Sequence, residues 1–266
     1  MIIKNKIICV MKAVPSVVFF IFVLLFSAGC SVKEDRRECP CRMMLDLSDI
    51  DTSIVHVLNV HAMSSDGIVF SDTLTREEFT RLYVRDVPHT DMRVCLWSAD
   101  VEDGSLMIPY GMECPPVYMC SFDADTSGEV FYKEVDLYKN HCSLTVLFDG
   151  RDQMPYSLTF RGNVDGYGDD GLPSAGEFAC VAYPAADGGS QVVLPRQRDS
   201  SLMLDVEDNA SSVLRSFAVG EFMVKAGYDW SAENLEDATV ILDYYVTGIT
   251  ITYKGWDKEY SYDIIL

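Results

Sequence analysis

Cys30 is the residue whose type and position most clearly permit chemistry, because a thiol at this place can carry a lipid. It follows the apolar run Val17–Phe26 and the small residues Ser27–Gly29, which let a peptidase approach the backbone closely. The run holds ten apolar residues, whereas a membrane-spanning helix needs roughly 20. The sequence therefore predicts a lipoprotein signal peptide over residues 1–29 and lipid on Cys30. The usual motif has Leu where Ser27 stands, and a plain secreted protein is the alternative.

The segment after Cys30 is short and charged. Residues 31–38 include Lys33, Glu34 and Asp35, and we interpret the segment as a lipidated tether over residues 30–38. Without residues 1–29 the chain has 18 basic and 41 acidic residues, a net charge of −23. Such acidity argues against nucleic acid as a partner and favours solubility outside the cell.

Seven cysteines remain after Cys30, and their number is odd. If the others pair, at least one is a free thiol or bonds another chain. Cys39-Pro40-Cys41 has the spacing of half a zinc site, but no matching second pair exists, so no metal is expected. Cys114 and Cys120 could close a small loop, and Cys142 alternates with apolar residues like a buried thiol. The seven are Cys39, Cys41, Cys95, Cys114, Cys120, Cys142 and Cys180.

Other residues with the potential for chemistry have simpler structural interpretations. His56 and His61 are five apart, so in a strand they face opposite sides of the sheet. The segment Asn163–Gly171 resembles a calcium loop but lacks two of its oxygen ligands, which favours an acidic turn. No serine-hydrolase elbow, zinc-protease motif or phosphate loop is present, so we predict neither an enzyme nor a cofactor. The three tryptophans, Trp97, Trp230 and Trp256, lie in or beside strand patterns and are predicted to be core residues.

Alternation of apolar and polar residues with a period of two dominates the chain after residue 38 and predicts an all-β fold. Two short helices are expected, at Thr75–Leu82 and Ala232–Asp237. Turn sequences between the strands favour sandwiches or barrels built from sequential hairpins rather than parallel crossovers. The predicted strands are Met43–Leu47, Ile54–Ala62, Ile68–Ser71, Arg81–Asp86, Met92–Trp97, Glu129–Leu137, Cys142–Phe148, Ser157–Arg161, Phe178–Tyr183, Gln191–Leu194, Leu202–Val206, Glu221–Ala226, Thr239–Val246 and Ile249–Tyr253.

The polar turn at Asp149–Gln153 is the best candidate for a domain boundary. It separates an N-terminal β-sandwich at residues 39–150 from a C-terminal β-sandwich at residues 151–266. Each part has about the size that closes one sandwich core.

The C-terminus is predicted to end in a strand with a possible assembly role. Tyr260, Tyr262, Ile264 and Leu266 alternate and share one face in an extended conformation. If they fill a groove of another subunit, the main chain adds to a sheet edge there and the side chains set the register. If the groove belongs to the same domain, the strand completes that sandwich.

The opening segment Gly29–Arg36, with Glu38-Cys39-Pro40-Cys41 and Leu45-Asp46-Leu47 after it, resembles the FimB-type and Mfa-type fimbrial anchor subunits of Bacteroidales. The strand-rich end around Val246–Ile251 is similar too. The resemblance implies two tandem transthyretin-like β-sandwich domains, lipid-anchored at the outer membrane and cell surface through Cys30. It also implies fimbrial shaft subunits as partners and exchange of strands between subunits, which gives weight to the terminal strand as an assembly element.

Two further expectations follow from the resemblance. Lys33-Glu34-Asp35 is similar to the signal that exports lipoproteins of this phylum to the cell surface, although the same charges could simply form a solvated tether. Asp72-Thr73-Leu74 matches an O-glycosylation pattern of the same organisms, with Thr73 as the acceptor.

The sequence thus predicts a non-enzymatic fimbrial subunit that attaches or caps a fimbrium. The alternative is a surface lipoprotein that binds glycans, which should present several exposed aromatic residues on one surface. A third class, a secreted hydrolase, requires carboxylates that converge in a cleft.

Overall fold

The computed structural model describes residues 39–78, 82–98, 106–148, 157–182, 189–207, 210, 212–242, 248–254 and 259–265. These residues form strands almost throughout, as the alternating pattern predicts. In the strand that contains residues 142–146, for example, Cys142, Leu144 and Val146 are fully buried while Ser143 and Thr145 between them are partly exposed. Such alternation lets one face of a strand enter a core.

Eight strands form the first sandwich. A sheet in the order β4-β1-β7 lies on one side of its core and a sheet in the order β3-β2-β5-β6-β8 on the other. The core side chains include Met43, Leu58 and Val94. The strands are β1 (Cys41–Asp46), β2 (Val57–Ser64), β3 (Gly67–Thr75), β4 (Leu82–Val87), β5 (Asp91–Ser98), β6 (Tyr118–Asp125), β7 (Val130–Glu134) and β8 (Tyr138–Lys139).

Nine strands and a helix form the second sandwich, with sheets in the orders β11-β10-β13-β14 and β12-β9-β15-β16-β17. Leu144, Phe160, Leu204 and Val240 lie in its core. The elements are β9 (His141–Phe148), β10 (Ser157–Tyr167), β11 (Pro173–Ala182), β12 (Gly189–Pro195), β13 (Met203–Glu207), β14 (Val213–Phe217), α1 (Val219–Lys225), β15 (Asp237–Leu242), β16 (Gly248–Lys254) and β17 (Glu259–Ile265).

Strand β5 contributes side chains to both cores. Val94 and Leu96 pack in the first core, whereas Cys95 and Trp97 on the other face pack in the second. Polar contacts connect the two sandwiches as well: the Lys139 backbone N–H donates to Asn234 Oδ1 at 2.9 Å. The second sandwich is therefore completed by residues that precede it in the chain.

The pairing of β9 bears on the division of the chain. This strand pairs with β12 and β15, so it belongs to the second sandwich. The change from one sandwich to the other thus falls between β8 and β9, earlier than the boundary predicted at 150/151. That residues 39–150 and 151–266 form two separate domains stays a prediction.

Several local predictions were wrong. Glu221–Ala226 is not a strand, because most of it lies in α1, where Val219, Phe222, Met223 and Ala226 bury one face at the spacing of a helix. No helix occurs among the described residues of Thr75–Leu82 or in Ala232–Asp237, where turns and bends stand instead. Strands β6, β8 and β14 were missed.

The expectation of sequential hairpins alone was also wrong. β1 pairs in parallel with β7, and β9 pairs in parallel with β15. Each parallel pair joins strands far apart in the chain, which a local pattern cannot show.

Candidate assembly surfaces

The terminal strand β17 lies at the edge of the sheet β12-β9-β15-β16-β17. It pairs antiparallel with β16, and the register places Tyr260, Tyr262 and Ile264 opposite Tyr253, Ile251 and Ile249. The structure thus puts three of the four residues predicted for assembly in an edge strand. Leu266 lies outside the described residues. An edge strand presents main-chain groups with which another strand can pair.

A second surface is formed by residues 106–117, which we call the strap. The strap directly precedes β6 and lies across the second sandwich, although β6 belongs to the first. Its Ile108 N–H donates to Asp165 O in β10 at 2.7 Å. Its Gly111 N–H donates to Ala179 O in β11 at 2.8 Å. Its Cys114 N–H donates to Val193 O in β12 at 3.2 Å. The strap therefore connects the edges of both sheets of the second sandwich.

The side chains of the strap divide between core and solvent. Those that enter the second core are Leu106, Ile108, Cys114 and Val117. Those that remain exposed are Met107, Tyr110 and Met112, with Tyr110 exposed by 72%. The strap thus acts as an irregular extra strand that closes the side of the sandwich between β11 and β12.

Gly166 in β10 permits the close approach of the strap. Its φ is +150°, and a Cβ atom there would lie 2.4 Å from Leu106 O and 2.8 Å from Met107 Cα. Real Cβ atoms essentially never come this near to backbone atoms, so a larger residue would displace the strap or β10.

His141 holds the C-terminal end of the strap. Its buried imidazole Nδ1 lies 3.0 Å from both Val117 N and Val117 O, so it accepts from the Val117 N–H or donates to the Val117 carbonyl according to the tautomer. Burial is the main cause that lowers the pKa of His141, and Lys139 nearby lowers it further, while the Val117 carbonyl and Asp237 oppose this. The neutral ring is therefore the form that fits the folded protein.

We expect this histidine to make folding stability pH-dependent. Because its pKa is lower in the folded protein than the ordinary value of about 6.5, its contribution is fully present above pH ~6.5 and is lost as pH falls toward the folded pKa. His141→Asn should reduce the pH slope of the unfolding free energy below pH 6.5 by up to about 1.4 kcal/mol per pH unit. Urea unfolding between pH 5 and 7.5 measures this. The exposed His56→Asn is the control, and an equal slope in both variants would contradict the assignment.

Thr73, the predicted glycosylation acceptor, lies exposed on β3, an edge strand of its sheet. Its hydroxyl donates to Asn59 Oδ1 at 2.8 Å. The preceding Asp72 accepts a hydrogen bond from Tyr83 at 2.5 Å and pairs with Arg85. Burial alone would raise the pKa of Asp72, but these bonds outweigh it and the pKa is lowered. Access to Thr73 is thus open, and its modification stays a prediction.

An open cleft of about 580 Å³ lies where β2, β5 and β6 meet Asp170 of the second sandwich. Arg93 in the cleft donates to Asp170 O at 3.1 Å and pairs with Asp123 at 3.0 Å. Hydrogen bonds from Ser127 lower the pKa of the nearby Asp125, so this carboxylate is ionised and unsuited to donate a proton.

Arg196 in a second cleft supports a loop of the second sandwich. Its guanidinium donates to Asn140 Oδ1 at 2.9 Å and to the carbonyls of Trp230 and Ala232 at 2.6 and 2.7 Å. Burial is the main cause that lowers the pKa of Arg196. Because its donors already bind the protein, this arginine positions the loop.

The cysteines and the segment Asn163–Gly171, both singled out in the sequence, have structural positions as follows. Cys114 packs in the second core and Cys120 in the first, so the expected loop between them is not closed by a disulfide. Cys39 is exposed whereas Cys41 is buried, and Cys142 is a buried thiol as predicted. Asn163–Tyr167 belongs to β10, so the predicted acidic turn begins only after it.

His61 lies in β2 but His56 precedes that strand, so the two histidines do not face opposite sides of one strand as predicted, whereas the described tryptophans are core residues as predicted. His56 is exposed and His61 is buried. Trp97 and Trp230 are buried, with 8% and 6% of their surfaces exposed, and Trp256 lies outside the described residues. Also outside them are Cys30, the predicted lipidation residue, and Lys33, Glu34 and Asp35, the predicted export signal. Among the residues that the structure describes, no helix is long and apolar enough to span a membrane.

Comparisons with known proteins show which solved structures share this fold. No family model and no curated protein matches the chain. Three of the solved structures with this fold are described here. A candidate polysaccharide-binding protein of Bacteroides thetaiotaomicron has a TM-score of 0.61 at 11% identity, with 84% of this chain and 98% of that chain covered. A candidate adhesin of Bacteroides ovatus has a TM-score of 0.58 at 10% identity, with 84% and 96% covered.

The third structure is the fimbrial anchor protein Mfa2 of Porphyromonas gingivalis. Its TM-score is 0.56 at 12% identity, with 82% of this chain and 98% of that chain covered. The resemblance stated from the sequence is thus confirmed at the level of the fold. The protein has the all-β sandwich fold of these fimbrial and adhesin-type proteins.

Proposed function

We propose that the protein is a lipid-anchored, non-enzymatic fimbrial subunit that attaches or caps a fimbrium at the outer membrane and assembles by β-strand addition. The observation that carries this proposal is the edge position of the terminal strand β17, in a fold shared with a fimbrial anchor protein. The edge offers main-chain groups for pairing, and alternate residues would fix the register of the partner. Shaft subunits are the partners in this proposal, and nucleic acid is not.

The N-terminal segment supports the attachment part of the proposal. Lipid on Cys30 would hold the chain in the outer membrane, and Lys33-Glu34-Asp35 would direct it to the cell surface. Ten residues lie between Cys30 and Cys41, the first residue of β1, enough to span at most about 40 Å when extended. More than one acyl chain on Cys30 would make this attachment durable.

Glycan binding is the second candidate, and one comparison gives it weight, because the polysaccharide-binding candidate of B. thetaiotaomicron has the same fold. The buried positions of Trp97 and Trp230 argue against an aromatic platform built from them. Tyr110 and Tyr132, both exposed, lie on the strap and on β7.

A Cys30→Ala variant tests the anchor in the protein's own bacterium. We expect it to lose incorporation of labelled palmitate, to disappear from the outer-membrane fraction, and to shift fimbriae from the cells to the medium. Cys39→Ala is the matched control, because Cys39 is an exposed cysteine nine residues further on. If Cys30→Ala incorporates palmitate at the wild-type level, the proposal is contradicted. Fimbriae that stay bound to cells carrying this variant would contradict it as well.

A further inference from the structure

The two sandwiches contact each other through the outer face of the sheet β3-β2-β5-β6-β8. Cys95 and Trp97 on β5 and Met119 on β6 point away from the first core and pack in the second, with 1%, 8% and 3% of their surfaces exposed. Separation of the sandwiches would expose these side chains to water, which the free energy of apolar burial opposes. We call this contact the joint, and its residues are Cys95, Trp97, Met119, Arg93, Asn140 and Arg196.

Arg93 holds the turn between β10 and β11 against the first sandwich. Its Nε–H donates to Asp170 O in that turn at 3.1 Å, and its Nη2 donates to Ser121 Oγ on β6 at 3.2 Å. Gly171 in the same turn has a φ of +77°, and a Cβ there would lie 3.0 Å from Cys95 Sγ. The turn of the second sandwich therefore packs directly on β5 and β6 of the first.

The connection between β8 and β9 is a single residue, Asn140, and all of its polar groups are bonded. Its N–H donates to Val117 O at 2.9 Å, and its side-chain NH2 donates to Tyr138 O at 3.0 Å. Its Oδ1 accepts from Arg196 Nε at 2.9 Å, and its carbonyl accepts from the Arg196 N–H and the Tyr167 hydroxyl. Flexible linkers between domains are exposed and make few contacts, whereas Asn140 is only 8% exposed.

Lys139, the residue before this connection, is held by the loop that Arg196 supports. The Lys139 carbonyl accepts from the Leu235 N–H at 2.9 Å, and its Nζ pairs with the Asp237 carboxylate at 2.5 Å. The Nη2 of Arg196 donates to Glu233 O in the same loop at 3.1 Å. Arg196 thus binds both the connection and the loop of the second sandwich that packs on it.

We propose that the joint makes the two sandwiches one rigid and cooperative unit, with Arg93 and Arg196 as the residues that hold it. Motion between domains is the usual behaviour where the linker is free and the contact is small and polar. Here the connection is bonded throughout and side chains of β5 and β6 complete the second core, so bending would disrupt both. In the proposed fimbrial subunit, such a unit would pass a pull on β17 to β1 without bending. That consequence rests on the proposed function, whereas the rigidity itself does not.

Residual dipolar couplings of the purified mature chain, labelled with ¹⁵N, measure this rigidity in solution. We expect the couplings of both sandwiches to fit one alignment tensor in the wild type. In the double variant Arg93→Ala with Arg196→Ala, we expect each sandwich to require its own tensor. Arg161→Ala is the matched control and should keep one tensor, because Arg161 pairs with Asp205 at 3.2 Å inside the second sandwich.

Urea unfolding of the wild type and of each single variant provides a second measurement that does not depend on the folding of the double variant. The amide signals of β2 report on the first sandwich and those of β13 on the second. We expect both sets to disappear at one urea concentration in the wild type, as in a single cooperative transition. In Arg93→Ala and in Arg196→Ala, we expect the two midpoints to separate by about 0.5 M or more, because each sandwich loses support from the other.

Two alignment tensors in the wild type, or separate midpoints for its β2 and β13 signals, would overturn the inference. A single tensor in the folded double variant would overturn it as well, because the two arginines would then not hold the joint. These outcomes are separate from those of the proposed function. If the wild type behaves as one unit but captures no fimbrial subunit, the rigid joint is supported and the fimbrial role is not.

Discussion

Gly166→Ala should destabilise the protein strongly and loosen the strap. The added Cβ would lie 2.4 Å from Leu106 O, a backbone atom that cannot turn aside like a flexible side chain. The backbone at φ +150° is also unfavourable for alanine. We expect a loss of about 2–6 kcal/mol in unfolding free energy, from roughly 1–3 kcal/mol of backbone strain and a similar cost of overpacking.

The variant Gly67→Ala separates the backbone strain from the steric clash of the added Cβ. Gly67 has a φ of +119°, but a Cβ there meets nothing within 4 Å, so its substitution introduces strain without the clash. In urea unfolding, Gly166→Ala should lose about 1–3 kcal/mol more than Gly67→Ala. In hydrogen exchange, the Ile108 amide should lose protection in the first variant alone. Equal losses in both variants would show that the strap does not pack tightly against β10.

The strands were predictable where burial follows strict alternation. β9 is an example, because Cys142, Leu144 and Val146 enter the core and the residues between them do not. β17 was predicted from the same alternation, and its place at a sheet edge agrees with the role suggested for it. What the alternation could not show is the partner of each strand. The parallel pairing of β9 with β15 joins residues almost a hundred positions apart, and nothing local records it.

The helix α1 was missed although its sequence contains the signal. Val219, Phe222, Met223 and Ala226 follow the i, i+3, i+4, i+7 spacing of an amphipathic helix. Gly220 allows the helix to approach Ser200 and Leu202, because a Cβ there would meet Ser200 O at 2.6 Å. The apolar run Phe222–Val224 resembles a short strand when the wider spacing is ignored.

The strap was not predictable as part of a site, because its prolines are typical of a loop. The alternation of Leu106 and Ile108 with Met107 was its one signal, over too short a span to identify a strand. The residues that it covers come from β10, β11 and β12, and only the fold brings these together. For the same reason the sequence suggested a bond between Cys114 and Cys120, which the structure places in different cores.

Removal of β17 should abolish assembly while the rest of the protein stays folded. A chain that ends at Asp257 lacks the whole of β17, whose loss leaves β16 as the new edge of the sheet. β16 also offers main-chain groups at its new edge, but it lacks the alternating Tyr260, Tyr262 and Ile264 to which the proposal gives the register of the partner, so we expect capture of fimbrial subunits to fall below detection. Near-ultraviolet circular dichroism of the truncated chain verifies its fold, and addition of a peptide of residues 258–266 in trans is the rescue control.

The measurement that tests the fimbrial account most directly is a pull-down from membranes of the protein's own bacterium, with the full-length mature chain and the chain ending at Asp257 as baits. The account predicts that the full-length chain recovers fimbrial shaft subunits, identified by mass spectrometry, and that the truncated chain does not. Recovery by both would move the interface away from β17. Recovery of polysaccharide without shaft subunits by the full-length chain would contradict the account and favour glycan binding.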